Sequence, residues 1–503
     1  MRDPALRAAL RTHDEDPSGR VAHRMTPETP SEEEAAARLA ARAAIRREAR
    51  RAARADDVAD VYGAGRLGNA VARALADAWL AADAWTSAGL LAATRIVLGT
   101  APRWTDEVVR DVLDAYLRPP ADRPRELARF ISRLRSFRTH LPGAPGADPK
   151  ARVVRVRTRR VEPTATVRQP WRTRRLDHAG DLAEWLGLST TELDWFADPR
   201  EMNRRATDRR LRHYRYLWLN GRLIEAPKQR LHALQRLVLK EILDPIPAHD
   251  AAHGFVAGRS PHSFAAPHAR QPVVVRFDIT SFFAAVTAQR VFGLLRTAGY
   301  PEPAAYALTA LCTTRTPTDI LRTAPSRVPD RDYRLALLRT PHLPQGAPTS
   351  PALANLCGFR LDRRLAGLAH SYGCQYTRYA DDLAFSGGFS PKGTATLVER
   401  VHEIVADEGF RLNEAKTRIR GTADRQLLAG LVVNAAPAVP REEYDNLRAL
   451  LHNAVHSGLE EQNRDGHPDF AAQLAGRVAW VGHRHPSRAA KLHALLERAL
   501  RRR

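Results

Sequence analysis

Gln375-Tyr376-Thr377-Arg378-Tyr379-Ala380-Asp381-Asp382-Leu383-Ala384-Phe385-Ser386 is the stretch on which the reading of this chain turns. Two aromatic and apolar runs flank a pair of adjacent aspartates, the pattern of two strands joined by a tight turn. Neighbouring side chains on a strand point to opposite faces, but a turn can aim one of them at a shared site. Two buried carboxylates without a cation suffer mutual repulsion and desolvation. A divalent ion such as Mg²⁺ relieves both and suits hard oxygen ligands. Taken alone, the stretch fits an ordinary exposed hairpin as well.

The residues on either side narrow the choice. Upstream, Val273-Val274-Val275-Arg276-Phe277 is a β-branched run expected of a buried strand. It ends at Asp278, followed by Ile279-Thr280-Ser281-Phe282-Phe283. A carboxylate at a strand's end, just before a helix, is placed to hold a metal over a cleft. Between the two aspartate stretches lies Leu343-Pro344-Gln345-Gly346-Ala347-Pro348-Thr349-Ser350-Pro351-Ala352-Leu353-Ala354-Asn355. It reads as a loop feeding a helix, with Thr349 or Ser350 as cap and Pro351 near the first helical position. Amides at that helix start are available to phosphate or a base edge. Downstream, Gly409-Phe410-Arg411-Leu412-Asn413-Glu414-Ala415-Lys416-Thr417 places a lysine after a helix end, and 427–434 reads as one short strand with a close-packing Gly430.

Farther out, helical patterns return over 177–245, including 181–188 and 231–243. Arg204, Arg205, Arg209, Arg210, Arg212 and Arg215 interleave with Tyr214, Tyr216 and Trp218. That mixture suits a surface tracking a nucleic-acid backbone, and a helix face of snorkelling arginines fits it equally. Trp195, Trp218 and Trp480 read as core. Pro142, Gly143, Pro145 and Gly146 mark a linker, and 150–175 then carries ten basic residues against one acid, Glu162. This reads as a basic arm, with 153–156 as a possible short strand. Residues 61–138 read as a small helical domain with a break at 99–102. Ser31 caps a helix running to about Ala55, and 1–30 reads as a mobile tail.

Composition agrees with a polyanionic partner. The 503 residues hold 79 Lys+Arg against 56 Asp+Glu, a net charge of +23, and 44% are apolar. Phosphate neutralisation is the common use of such a surplus. Three cysteines without a Cys-x-x-Cys pair exclude a disulfide framework and a cysteine-based zinc site. No apolar run approaches the ~18–20 residues of a membrane span, and the first thirty residues lack a signal-peptide core. A cytoplasmic protein without a membrane partner is expected.

In their order and spacing the quoted residues resemble the palm of a polymerase of the reverse-transcriptase family. Asp278 resembles the first metal carboxylate, 343–351 the template-grip loop, Tyr379-Ala380-Asp381-Asp382 the YADD turn, and Lys416 the late lysine. Arg222-Leu223-Ile224-Glu225-Ala226-Pro227-Lys228, the 231–243 helix and Ala252-His253-Gly254-Phe255-Val256-Ala257-Gly258-Arg259-Ser260 are similar to the fingers of bacterial retron-type enzymes. The likeness starts near Leu182 and includes basic helices after 436. Joined to the organisation above, it implies an α+β fold: a right-hand polymerase with fingers (177–270), a palm on an antiparallel sheet (271–435, with fingers insertions) and a helical thumb (436–503). A tail (1–30), a mostly α-helical N-terminal domain (31–140) and a basic linker (141–176) precede it.

The resemblance also implies roles. Two Mg²⁺ ions, with Mn²⁺ as a substitute, are expected on Asp278, the Ile279 carbonyl and Asp381. Asp382 is expected either as a further ligand or as a structural neighbour. Phe283 is the implied steric gate against a ribose 2′-OH. Gln345 and Gly346 are implied at the template or nascent pair, and Lys416 as proton donor to pyrophosphate. The family's lysine-containing loop before Arg222 is missing, so Arg222 or Arg215 is expected on the triphosphate. Arg259, Arg276 and Arg378 are expected in salt bridges, and His253 and His268 in structural roles. Two departures stand out: Phe264-Ala265-Ala266-Pro267-His268 where retron enzymes carry Asn-Ala-x-x-His, and Leu428-Ala429-Gly430 where they carry Val-Thr-Gly.

The implied function is an RNA-directed DNA polymerase that copies a structured non-coding RNA into DNA in anti-phage defence. Its partners would be the RNA template and primer, the DNA product, dNTPs, and an effector protein on the N-terminal domain. Two alternatives stay open. One is a different bacterial reverse transcriptase class making untemplated or protein-primed DNA. The other is a nucleic-acid-binding scaffold with an inactive palm, which gives no reason to keep Asp278, Asp381 and Asp382 together.

Overall fold

The computed structural model describes residues 64–140, 155–158, 164, 166, 168–198, 201–483 and 485–501, with backbone alone at 64–69 and 204. The expected tail, the helix from Ser31 and most of the basic linker, Val153 and Val154 included, lie outside these residues. The chain divides into two units, 1–119 with 126–161 and 120–125 with 162–503.

In the first unit, apolar residues at helical spacing form helices Ala64–Leu80, Ser87–Leu98 and Trp104–Ala115. Thr86 caps the second of these by accepting from the Gly89 amide, and Gly99 ends it at φ +76°. Left-handed backbone of that kind is the usual glycine stop. Trp79, Leu90, Val97, Val108, Val112 and Ile131 fill the core. The Trp79 indole N–H donates to Thr94 Oγ1 at 2.9 Å, so no polar atom of the ring is stranded.

In the second unit, β1 (Tyr214–Leu219) and β2 (Arg222–Pro227) form an antiparallel hairpin. Its turn is Asn220-Gly221, both at positive φ, the residue pair such turns favour. β3 (Val273–Asp278), β4 (Gln375–Tyr379), β5 (Asp382–Gly387) and β6 (Arg418–Gly421) form an antiparallel sheet in the order β4-β5-β3-β6. Val275, Phe277, Leu383 and Phe385 pack one face into the main core. Val274 and Ala384 face the other way, against Phe264, Leu447, Leu474, Val478 and Leu492. Covering on both faces explains why β3 is a continuous β-branched run instead of an alternating one.

Three details differ from expectation. Residues 427–434 are not one strand: β7 (Leu427–Leu428) and β8 (Leu431–Val432) fold back through Ala429 and Gly430, at φ +46° and +82°. The 231–243 helix is α-helical over Gln229–Val238 and widens to a π-turn over Leu239–Leu243. Trp195 is exposed instead of core. Among the described residues no helix is long and apolar enough to cross a membrane.

One ion pair wholly inside braces the end of β4. Arg378 and Asp362 are both fully buried. Arg378 Nε and Nη2 donate to Asp362 Oδ1 and Oδ2 at 2.8 and 2.6 Å. Its Nη1 donates to Asn355 Oδ1 at 2.9 Å and to the Ala380 carbonyl at 3.0 Å. Removing one partner of such a pair leaves an uncompensated buried charge and costs about 3–5 kcal/mol, whereas replacing both with apolar residues costs far less. Asp362→Ala is expected to lose stability on that scale in denaturant unfolding. The Asp362→Leu/Arg378→Met double variant should recover most of the loss.

Candidate active site

The antiparallel register sets Asp278 of β3 directly opposite Asp382 of β5, and Tyr379 of β4 opposite the same Asp382. Ala380-Asp381 is therefore a two-residue turn, with Ala380 at φ +54°. The Ile279 amide donates to the Asp381 carbonyl at 2.8 Å and the Asn413 amide to the Asp278 carbonyl at 2.8 Å, which laces the turn and the strand end together. Burial, then the charges of Asp278 and Asp382, push the Asp381 pKa above the ordinary carboxylate value. Burial does the same to Asp382, although Arg276 opposes it.

Two cations answer this crowding. Arg276 shares a strand face with Asp278 and pairs across with Ala384, so Asp382 is its diagonal neighbour. Its Nη2 donates to both Asp382 oxygens, at 2.7 and 3.0 Å, and its Nε to one of them at 3.0 Å. Lys416 follows the helix Pro391–Asp407 in a short 3₁₀ turn and donates from Nζ to Asp278 Oδ1 at 2.9 Å. No cluster of three or more His, Cys, Asp or Glu capable of caging a metal exists among the described residues. The donor set left to a cation is the hard-oxygen pair Asp278 and Asp381. That pair fits Mg²⁺, which is usually held by one or two carboxylates plus water and substrate phosphate.

The surrounding loops are tied to the same place. Phe283 follows Asp278 in the short helix Phe282–Ala285. The Gln345 carbonyl accepts from the Glu225 amide of β2 at 2.7 Å. Gly346 has φ +126°, and a Cβ there would lie 3.3 Å from the Glu225 carbonyl. Ser350 Oγ donates to the Pro344 carbonyl at 2.7 Å, and Thr349 precedes the helix without a side-chain cap. The Arg222 guanidinium, on the same hairpin, acts on Asp381 and favours its ionised form. Beneath them, Glu225 accepts from Thr316 Oγ1 at 2.7 Å and pairs with His342 Nε2 at 2.8 Å. All three are buried.

Against this geometry stand the comparisons with known proteins. Residues 220–430 match the family model of reverse transcriptase (RNA-dependent DNA polymerase). The Retron Mx162 reverse transcriptase of Myxococcus xanthus is 40% identical over 335 residues, 62% of this chain and 65% of that protein. The Retron Mx65 reverse transcriptase of the same organism is 40% identical over 337 residues, 64% of this chain and 70% of that one. The chain belongs to the retron reverse transcriptases. Its matched stretch spans about two thirds of the length of these relatives. Among solved structures, a telomerase from Candida albicans aligns over 56% of each chain with 8% identity and a TM-score of 0.30, too slight a likeness to bear on the chemistry.

Other residues of this reverse transcriptase sit apart from the carboxylates. Arg205, Arg209 and Arg210 are exposed, and Arg210 bonds Asp208. The side chain of Arg204 lies outside the described residues. The basic and aromatic interleaving is not a stacking surface throughout: Arg212 is buried in a two-point pair with Asp319, at 2.9 and 3.1 Å, and Tyr214 is core. The period of two in β1 sends Tyr214 inward. His268 is held between Ser386 Oγ and Thr377 Oγ1 at 2.7 and 2.8 Å, and burial pushes its pKa down to about 3. Burial, then Arg259, pushes His253 down to about 4. Both imidazoles are neutral and structural.

The His342 ring faces acceptors on both sides, the Thr340 carbonyl at 2.7 Å and the Glu225 carboxyl. Burial alone would lower its pKa, but the Glu225 charge and both hydrogen bonds outweigh it and the pKa is raised. The folded protein thus holds this proton more tightly than the unfolded chain does. The resulting stabilisation is complete below the ordinary histidine value of about 6.5 and is lost as pH rises through the folded value. Unfolding free energy measured from pH 6 upward should fall more steeply in the unaltered protein than in His342→Gln.

Proposed function

We propose that this chain is an RNA-directed DNA polymerase that extends a primer on a structured RNA with dNTPs. The observation that carries the reading is the paired register of Asp278 and Asp382 with Asp381 in the adjoining turn. In this reading the four-stranded sheet is the palm, the β1–β2 hairpin and its helices the fingers, and the helices after 436 the thumb. Two Mg²⁺ ions, for which Mn²⁺ can substitute, would be held by Asp278, Asp381 and the Ile279 carbonyl, and when bound they stabilise the attacking and leaving oxygens of an in-line displacement.

The chain's own residues do the remainder. Arg222 sits where a triphosphate's charge would be met, on a hairpin fixed to the Gln345 carbonyl. Gln345 and Gly346 offer a narrow backbone surface to the template or the nascent pair, and the ring of Phe283 excludes a ribose 2′-OH. Lys416 releases Asp278 and gives a proton to the departing pyrophosphate. Asp382, engaged on both oxygens by Arg276, orients the strand end instead of ligating. Arg205, Arg209 and Arg210 contact RNA phosphates.

The names of the relatives support a retron RNA as template; a cytoplasmic setting and, at system level, anti-phage defence with an effector protein on the N-terminal unit belong to the same proposal. The test is templated incorporation by the purified chain. Asp381→Asn is expected to cut dNTP addition by at least about a hundredfold while RNA binding in a gel-shift assay persists. Undiminished addition by that variant would remove the carboxylates from the mechanism.

A further inference from the structure

Phe255 is an aromatic residue in a position that favours neither its backbone nor its side chain. Its φ is +59°, in the left-handed region that bulky residues avoid. It is also 54% exposed. Strain of this kind persists only where the surroundings impose it, and it gathers at functional sites.

Here the surroundings are explicit. The Arg378 amide donates to the Ala251 carbonyl and the His253 amide to the Arg378 carbonyl, both at 2.7 Å, so 251–253 runs as a parallel bridge along β4. Asn355 Nδ2 holds the Gly254 carbonyl at 2.7 Å. Gly254 lies so close to the aspartate turn that a Cβ would come within 2.5 Å of the Ala380 nitrogen. The chain then delivers Phe255 beside the turn that carries Asp381. Its ring centroid is 6.5 Å from that of Tyr379 and 6.2 Å from that of Phe283. The ring of the buried Phe282 also lies 6.0 Å from that of Phe283.

We propose that Phe255 is a specificity-determining residue: with Phe283 it forms the aromatic wall on which the sugar of the incoming nucleotide rests. Two contacts then fix the orientation of Phe283, Phe282 from the core and Phe255 from the solvent side. The open face of Phe255 is an apolar surface for a nucleotide, since a flat ring left half in water at a charged site gains most by stacking. The inference rests on the polymerase reading of Asp278 and Asp381.

The test is single-nucleotide addition by the full chain on a primed RNA template, comparing kcat/KM for a dNTP and for the matching rNTP. Phe255→Gly accepts φ +59° without strain, so its melting temperature separates a packing role from a substrate role. The expected result is that the dNTP-over-rNTP preference falls by about tenfold in Phe255→Gly, mostly through a higher dNTP KM, and is retained in Phe255→Tyr. An unchanged preference in Phe255→Gly overturns the proposal, whatever happens to its melting temperature. If that variant does not fold, Phe255→Leu, which keeps bulk and loses the flat ring, takes its place with the same two outcomes. No addition of either nucleotide by the unaltered chain would instead overturn the polymerase reading on which the proposal stands.

Discussion

Asp278, Asp381 and Asp382 crowd the open end of one antiparallel strand pair, where water is partly excluded and like charges repel. The repulsion is tolerable because two cations are built into the neighbouring backbone. Arg276 reaches Asp382 from its own strand, at the diagonal spacing a pleated sheet provides, and Lys416 reaches Asp278 from a turn more than a hundred residues later. The two differ in kind. Arginine's fork engages both oxygens of one carboxylate and fixes its plane. Lysine supplies a single point charge on a flexible stem. One carboxylate of the site is thus gripped at both oxygens and another at one.

That arrangement demands a scaffold that does not yield. The aspartate turn is supported from below by the fully buried Arg378–Asp362 pair, whose guanidinium also holds the Ala380 carbonyl. The loop at Gln345 is held by the equally buried Glu225–His342 pair. Buried ion pairs add little net stability compared with apolar packing of equal volume. Their effect here is directional: each ties a loop to a strand at a defined distance, which apolar side chains do not do. The positive φ at Ala380 is held by such ties and not by residue preference.

Much of this was legible in the sequence, and the reason is locality. The strand ending at Asp278, the turn at Asp381 and the Pro-rich loop at Gln345 each carry their signal within a few residues. What escaped reading depends on contacts far apart in the chain. Glu225 and His342 are both polar and both buried, and nothing near either one announces the other. Arg276 was expected in a salt bridge and forms one; only its partner Asp382 went unnamed, although strand period places Arg276 two residues before Asp278 on the same face. Phe255 gives no local sign of its positive φ, which is found where Gly254 closely approaches Ala380. Residues 427–434 were misread because a two-residue turn at Ala429-Gly430 interrupts an otherwise continuous apolar run.

Net charge, read from composition, says less about the interior than about the surface. Arg212, Arg276 and Arg378 are each committed to a carboxylate, so their charges are largely offset where they sit. Among the described residues, exposed positions such as Arg205, Arg209 and Arg222 carry part of the +23 surplus. Exposed cations without carboxylates are the ones that release counterions when they meet phosphate, and this makes polyanion binding salt-dependent.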